Sequence, residues 1–192
     1  MSFKKPKKKP KGHVSLKSIN KECLQIIDKH RRTERRTIVV DYDGTLIDSM
    51  NRMTIFVTLL REAHKMGYFI FVVSERQPYY WQKIFDRLKK NKVPFTSIFT
   101  STYYDEHPVF KIDIRKRISL VDPFGLNQYS KTLDLIQMDQ CSSIVFRSTI
   151  VLCIGDSWLD LLGSLNCMGI KIPSEFDPGV YLYTKNKKII IL

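Results

Sequence analysis

The sequence predicts a three-layer α/β domain, in which a parallel sheet lies between two layers of helices. Apolar runs without alternation, such as residues 68–73, are typical of central parallel strands that are buried on both faces. Stretches with helical spacing separate these runs, and the resulting β-α-β-α-β order implies right-handed crossovers that place helices on both faces. Three of the predicted strands end in polar residues, at the edge of the sheet where such folds gather their reactive groups.

The individual elements follow from periodicity and from residues that begin or end helices. Apolar residues three and four apart predict a helix over 15–32, and the β-branched run 37–40 predicts the first strand. A second helix is predicted over 50–66 and closed by Gly67, and Pro78 opens a third that runs to about residue 90. Further strands are predicted at 95–100, 149–154, 169–172 and 180–183, and further helices at 129–140 and 157–166.

The positive charge is concentrated at the start of the chain. The net charge of the 192 residues is +13, and residues 1–36 supply +10 of it through 13 Lys and Arg against three acids. The other 156 residues are almost balanced, at +3. An excess of this size indicates a polyanionic partner, of which nucleic acid is the main candidate.

The charge distribution divides the chain into three parts. Residues 1–14 are predicted to be a disordered basic tail, because their prolines break regular structure and their like charges repel. Residues 15–36 are predicted to be a basic amphipathic helix, and residues 37–192 a globular domain. Three interpretations of the first two parts stay open: a helix docked on the domain with a solvated charged face, a clamp for phosphate backbones, or a nuclear localisation signal.

Composition also excludes several classes of protein. No stretch approaches the ~18 consecutive apolar residues that a membrane span needs, and no apolar segment typical of a secretion signal follows the basic start. The four cysteines are scattered, which argues against disulfides and zinc. We therefore expect an intracellular protein, with the nucleus or another compartment or particle that contains nucleic acid as the specific alternative; the oligomeric state stays open.

Two pairs of carboxylates follow predicted strands. Asp41 and Asp43 come after the first strand, where Gly44 allows the chain to bend, and Asp156 and Asp160 come after the strand at 149–154. The carboxyl ends of parallel strands share one edge of a sheet, so these acids are expected to lie together. Repulsion within such an oxygen-rich pocket calls for a cation, and a hard ion such as Mg²⁺ fits these ligands best.

These acidic clusters resemble the signatures of the haloacid dehalogenase (HAD) superfamily. The sequence Asp-Tyr-Asp-Gly-Thr-Leu at 41–46 matches its DxDGT signature, and 155–160 matches its GDxxxD signature. Both follow apolar strands in the family's order, and Ser74 ends the strand between them. The resemblance covers about residues 37–175. It implies that 37–192 is a Rossmann-like, HAD-like phosphatase domain of the small-cap or capless type, with a basic extension before it.

Position by position, the resemblance also implies roles for the residues of the first two strand ends. Asp41 would be the nucleophile that becomes an aspartyl-phosphate, and Asp43 the general acid for the leaving group and then the base that activates water. A carboxylate at Asp43 favours phosphatase over dehalogenase chemistry. Ser74 would hydrogen-bond a phosphoryl oxygen, and Gly44 and Thr45 would bind substrate.

The resemblance further implies a metal site and a phosphate-binding lysine. Mg²⁺ would be held by the carboxylates of Asp41, Asp156 and Asp160 and by the backbone carbonyl of Asp43. The lysine expected near the start of the helix before the last acidic strand is assigned to Lys131, which lies 25 residues before Asp156. The alternative is Lys111, at a longer separation of 45 residues.

The spacing of the motifs bears on the substrate. Only 30 residues separate Asp43 from Ser74, too few for a large cap at the first insertion point, and residues 103–128 have room for a small hairpin insert. An open site would accept a phosphorylated nucleic-acid end, as in the similar phosphatase domains of polynucleotide kinase-phosphatases, or a nucleotide, with Arg76 as a second phosphate contact. The alternative function is a nucleic-acid-binding structural component of a ribonucleoprotein or virion, in which the same fold has little or no catalysis.

Overall fold

A computed structural model of the chain describes residues 15–101, 111, 114, 115, 118, 148–161, 167–174, 177, 179–183 and 189–191. The predicted tail at 1–14, the predicted helix at 129–140 and nearly all of the predicted insert at 103–128 lie outside the described residues. No helix in the described part is long and apolar enough to cross a membrane. The helices are α1 Leu16–Lys29, α2 Phe56–Lys65 and α3 Trp81–Lys90, with 3₁₀ turns at Pro78–Tyr80 and Trp158–Asp160. The strands are β1 Arg36–Asp41, β2 Phe69–Ser74, β3 Ser97–Thr100, β4 Thr149–Gly155, β5 Met168–Lys171, β6 Tyr181–Tyr183 and β7 Ile189–Ile191.

The described strands form one mostly parallel sheet in the order β3-β2-β1-β4-β5-β6-β7. Neighbouring strands from β3 to β5 pair in parallel, and β6 and β7 extend the sheet in antiparallel pairing. The chain builds β1, β2 and β3 outwards in one direction and then returns to place β4 on the other side of β1. This reversal lies at the carboxyl ends of β1 and β4, the place where open α/β sheets bind ligands. The predicted α/β class is therefore confirmed.

The two faces of the sheet are covered by separate apolar cores, because successive side chains of a strand point to opposite sides. Ile38 and Val40 pack in the larger core, to which all three described helices contribute. Val39, between them, packs in the smaller core with Ile114 and Ile118. These last two residues have helical backbone, so helical segments lie against both faces.

Helix α1 is docked on the sheet domain. Ser15 caps its first turn by accepting a hydrogen bond from the Ser18 amide at 3.2 Å, as its position before the apolar stripe predicts. The Tyr68 hydroxyl donates to the Ile27 carbonyl oxygen at 2.6 Å and so ties the helix to the start of β2. The apolar stripe of the helix is buried in the larger core and consists of Ile19, Cys23, Ile26 and Ile27.

Helix α2 begins later than the sequence predicts. The expected helix over 50–66 starts only at Phe56, because the preceding residues fold back as a small hairpin. Isolated bridges join Asp43 to Ile47 and Ile47 to Met53, and the Thr54 hydroxyl donates to the Thr45 carbonyl oxygen at 2.6 Å. The prediction is wrong here because this hairpin depends on contacts that helical periodicity does not register.

Other bounds differ by smaller amounts. The strand predicted from residue 95 begins at Ser97, and the described part of the helix predicted at 157–166 is the short 3₁₀ turn Trp158–Asp160. The sequence interpretation also missed β7, which pairs with β6 as the last strand of the described sheet. None of these differences moves the strand ends that carry the acidic residues.

Candidate functional site

The candidate site is a cleft of about 680 Å³ at the carboxyl edge of the sheet. Asp41 is the last residue of β1 and Asp156 directly follows β4, so the reversal of strand order brings the two acids together. Asp43, Arg76 and Lys111 line the cleft as well. The motif residues expected at the two strand ends therefore share one site.

A buried ion cluster forms the floor of the cleft. The Lys111 Nζ donates to Asp41 Oδ1 at 2.7 Å and to Asp160 Oδ1 at 2.6 Å. No side chain of the three is more than 6% exposed. Charges removed from water to this degree are tolerated only when they are paired, so the three side chains depend on one another.

The remaining carboxylate oxygens of this cluster differ in how they are satisfied. Asp160 Oδ2 accepts a hydrogen bond from the Ser157 amide at 2.9 Å, in a capping box that opens the 3₁₀ turn. Asp41 Oδ2 is buried and has no hydrogen-bond partner among the described residues. An unsatisfied buried acceptor costs about 1–3 kcal/mol, so this oxygen is available to accept a hydrogen bond or to contact a cation.

Two glycines let the acidic residues approach so closely. Gly44 has a φ of 71°, and a Cβ there would lie 2.2 Å from Asp156 Oδ2. A Cβ on Gly155 would lie 2.1 Å from the Cβ of Asp160. Larger residues at either position would push a carboxylate out of the cluster. The close packing of the acids therefore explains why both motifs have glycine at these positions.

Burial and the charge of Asp160 raise the pKa values of two acids of the site, Asp41 and Asp156. Burial raises the pKa of Asp41 well above its ordinary range, the charge of Asp160 adds to the effect, and Lys111 opposes it. Burial and then Asp160 also raise the pKa of Asp156. Burial acts to lower the pKa of Lys111, but the carboxylates of Asp41 and Asp160 raise it overall. Asp41 and Asp156 are therefore harder to ionise than an exposed aspartate.

The acidic triad fits a metal ion. Carboxylate oxygens of Asp41, Asp156 and Asp160 all lie within 4.8 Å of one another. The set is made only of hard oxygen donors, which suit a divalent cation such as Mg²⁺. The residues present thus agree with the predicted metal site, although they do not identify the metal.

A second ion pair lies at the more exposed side of the cleft. Arg76 Nη2 donates to Asp43 Oδ1 at 2.7 Å, and its Nε lies 3.0 Å from Asp43 Oδ2. The Ser74 hydroxyl donates to the same Oδ2 at 3.2 Å. The Arg76 guanidinium carbon also lies 5.5 Å from the ring centre of Tyr42 and 5.4 Å from that of Tyr80. Arg76 is thus held in place by a carboxylate and by two aromatic rings.

Three predicted site residues are placed differently from the rest. Ser74 is fully buried and does not line the cleft, and its hydroxyl donates to Asp43. Thr45 is fully buried and does not line the cleft, and its hydroxyl has no hydrogen-bond partner within the described part of the chain. Lys131, the predicted phosphate-binding lysine, lies outside the described residues. The alternative, Lys111, is the lysine that contacts Asp41 and Asp160.

Sequence reasoning missed a second buried lysine at the cleft. Lys171 is 1% exposed and lines the cleft, and its Nζ donates to the Asp177 carbonyl oxygen at 3.0 Å and lies 3.3 Å from Asp177 Oδ2. The pairing of Lys171 with Gly155 brings it to the site. A lysine at the end of a short strand carries no motif, so only the strand pairing reveals its position.

No protein-family model and no curated protein matches this chain. Among solved structures, the chain is similar to one in "Structure of Pnkp1/Rnl/Hen1 complex", with a TM-score of 0.41 and 14% sequence identity. The match covers 67% of this chain and 42% of that one, so the present chain spans less than half of its length. A similarity of this size assigns no function, and the chemistry has to be argued from the residues of the site.

Proposed function

We propose that the protein is a Mg²⁺-dependent phosphohydrolase of the HAD type, with a three-layer Rossmann-like domain and a minimal cap, that acts through an aspartyl-phosphate intermediate. The observation that carries this proposal is the environment of the Asp41 carboxylate. This carboxylate is buried at the reversal of strand order, with one oxygen bonded to Lys111 and the other without a hydrogen-bond partner in the described part of the chain. A nucleophile that attacks phosphorus needs such a free oxygen and a cation beside it, because its target is itself an anion.

The reaction takes two steps on this chain's own residues. In the first, an oxygen of Asp41 forms a bond to phosphorus while the bond from phosphorus to the leaving oxygen breaks, and Asp43 gives that oxygen a proton. In the second, Asp43 takes a proton from water, whose oxygen attacks the phosphorus and releases phosphate together with the free Asp41 carboxylate. Ser74 and Arg76 keep Asp43 in position, since both donate to its carboxylate.

Lys111 takes the role of the phosphate-binding lysine in this proposal. Its ammonium group already neutralises Asp41, and it reaches the cleft from a segment that also packs against the sheet through Ile114 and Ile118. It would bind a phosphoryl oxygen and reduce the repulsion between that anion and Asp41. The contacts of Lys111 are the reason to prefer it over Lys131.

Asp41, Asp156 and Asp160 would hold Mg²⁺ together with the backbone carbonyl of Asp43. A bound divalent cation supplies charge stabilisation to a transferring phosphoryl group. The chain's own contribution is to keep three carboxylates in one place: Gly44 and Gly155 give them room, and Lys111 offsets part of their repulsion.

For the substrate, we propose a phosphorylated nucleic-acid end or a nucleotide. The described residues between Asp43 and Ser74 form only a small hairpin, α2 and β2, so they contribute no large cap. Arg76, which is 36% exposed, offers a second phosphate contact. The positive charge of residues 1–36 supports a polyanionic partner, and we propose an intracellular compartment that contains nucleic acid.

Hydrolysis of p-nitrophenyl phosphate by the native protein and by Asp41→Asn tests this function. We expect Mg²⁺-dependent turnover by the native protein and a loss of at least about a thousandfold in Asp41→Asn, because the nucleophile is removed. Asp28→Asn is the matched control, since Asp28 is an exposed acid on α1 that should leave the rate unchanged. Acid quenching followed by mass spectrometry should find the phosphoryl group on Asp41 of the native protein.

Equal, background rates in the native protein and Asp41→Asn would contradict the proposal. If that result came with tight, salt-sensitive RNA binding, the alternative of a nucleic-acid-binding structural component would be favoured. If the protein is active, its rates on mononucleotides and on oligonucleotides phosphorylated at the 3′ or the 5′ end would rank the substrates.

A further inference from the structure

An exposed aromatic side chain stands beside the cleft, on the segment that leaves β2. Among the aromatic side chains that the structure describes, Tyr79 is the most exposed, at 54%. Its ring centre lies 4.3 Å from that of Tyr80, and Pro78 opens the turn that carries both. Proline restricts the backbone where this turn begins.

Two cations lie beside one ring of this pair, that of Tyr80. The Arg76 guanidinium carbon lies 5.4 Å from the ring centre of Tyr80, and the Lys83 Nζ lies 5.2 Å from the same point. Lys83 is exposed on the first turn of α3. We call Arg76, Tyr79, Tyr80 and Lys83 the aromatic–cation ridge. It combines a tyrosine side chain that is 54% exposed with two cations that lie within 5.4 Å of the neighbouring ring centre.

The ridge is continuous with the cleft through Arg76. This side chain lines the cleft and binds Asp43, and on its other side it contacts the ring of Tyr80. The neighbouring acid Glu75 places its carboxylate 3.6 Å from the Lys111 Nζ, within the cleft. A ligand that extends from the cleft past Arg76 would therefore meet the ring of Tyr80, with the Tyr79 ring and the Lys83 ammonium group beside it.

We propose that the aromatic–cation ridge binds a single-stranded nucleic-acid segment next to the phosphate held in the cleft, with a base stacked on Tyr79. This inference rests on the proposed phosphatase site and names the class of its substrate. Proteins that bind single strands without reading sequence combine stacking rings with positive charge that follows the backbone, and this ridge supplies both. The net charge of +13 gives the whole chain the sign that such a ligand requires.

Fluorescence anisotropy with a labelled dT10 that carries a terminal phosphate tests the ridge without requiring turnover. We expect Tyr79→Ala to weaken binding about 5- to 100-fold, which is the range measured for loss of one stacked base, and Tyr79→Phe to retain it, because the ring face is kept. A dT10 with an abasic residue next to the phosphate should bind the native protein more weakly and should lose nothing further in Tyr79→Ala. Leu16→Ala, which removes an exposed apolar side chain from α1, is the control.

The role of Lys83 is tested through salt. Lys83→Ala should weaken both the normal and the abasic oligonucleotide and lower the slope of log affinity against log salt by about 0.7, the value for one phosphate contact on a single strand. Lys65→Ala is the matched control, because Lys65 is an exposed lysine on α2 that is paired with Glu62. The control should leave the slope unchanged.

Hydrolysis of p-nitrophenyl phosphate separates this inference from the proposed function. Both ridge variants should keep the native rate on this small substrate, because it does not reach Tyr79. The binding role of the ridge alone would be overturned if the protein turns over p-nitrophenyl phosphate but does not bind the oligonucleotide. The same holds if it binds the oligonucleotide equally well with and without the Tyr79→Ala substitution. Tighter binding of a phosphopeptide than of dT10 would overturn it as well. Base-dependent binding without any turnover would overturn the phosphatase and leave the ridge in place.

Discussion

The cleft contains a buried ion cluster and an exposed ion pair, which differ mainly in burial. Lys111 and its partners Asp41 and Asp160 are at most 6% exposed, whereas Arg76 and Asp43 are 36% and 44% exposed. Water can replace a lost partner in the exposed pair but not in the buried cluster. The first arrangement therefore fixes its groups, and the second leaves them able to exchange one partner for another.

The balance of charge differs between the two regions as well. The floor of the cleft gathers the acidic triad of Asp41, Asp156 and Asp160 near one lysine, Lys111, and one oxygen of Asp41 has no partner among the described residues. At the exposed side one arginine faces one aspartate, and both Asp43 oxygens accept hydrogen bonds. The floor thus has more acidic groups than cations, while the exposed side is balanced.

The largest expected effect comes from removing the buried lysine. Lys111→Met should lower the free energy of unfolding by about 3–5 kcal/mol, because it leaves carboxylates buried without their cation. Arg76→Met should cost less than about 1 kcal/mol, as is typical of exposed pairs. Urea unfolding in the presence of a chelator measures both. Lys65→Met serves as an exposed lysine control, and a smaller loss in Lys111→Met than in Arg76→Met would contradict the comparison.

A smaller effect is expected from the metal. If the floor binds Mg²⁺, a concentration of a hundred times the dissociation constant should raise the free energy of unfolding by about 2.7 kcal/mol. Asp156→Asn should remove most of this increase, because it weakens the acidic triad. Asp43→Asn should keep it, since the Asp43 side chain belongs to the exposed pair. An equal response of the two variants in Mg²⁺ titrations followed by unfolding would show that the triad is not the site.

The sequence was sufficient to predict the scaffold of the site. The strand ends that carry Asp41, Ser74 and Asp156 lie where apolar runs without alternation stop, and burial on both faces leaves such runs few alternatives. The periodicity of residues 15–32 likewise predicted α1, because its apolar stripe is the face that docks. Local pattern determines these features, so a single sequence reveals them.

The sequence did not reveal the positions of residues whose placement depends on contacts between distant parts of the chain. Lys111 was ranked below Lys131 on sequence spacing, and its contact with Asp41 joins residues 70 positions apart. Lys171 reaches the cleft through strand pairing with Gly155, and the hairpin before α2 depends on the bond from Thr54 to the Thr45 carbonyl oxygen. Spacing along the chain does not encode such approaches, since each is set by how separate elements pack.

The smallest expected effect tests whether the exposed pair acts on substrate rather than on stability. Arg76→Lys keeps the positive charge but loses the fork that binds Asp43 through two nitrogens, so we expect the free energy of unfolding to change by less than about 1 kcal/mol. The kcat/KM for p-nitrophenyl phosphate should nevertheless fall about tenfold, because a charge-assisted contact to the phosphate or to Asp43 is lost. Arg61→Lys is the matched control: Arg61 donates two hydrogen bonds to the carbonyl oxygens of Asn91 and Lys92, outside the cleft. An equal fall in kcat/KM in both variants would contradict a specific role of Arg76 at the site. A loss of stability in Arg76→Lys as large as that in Lys111→Met would show that the exposed pair contributes as much to stability as the buried cluster.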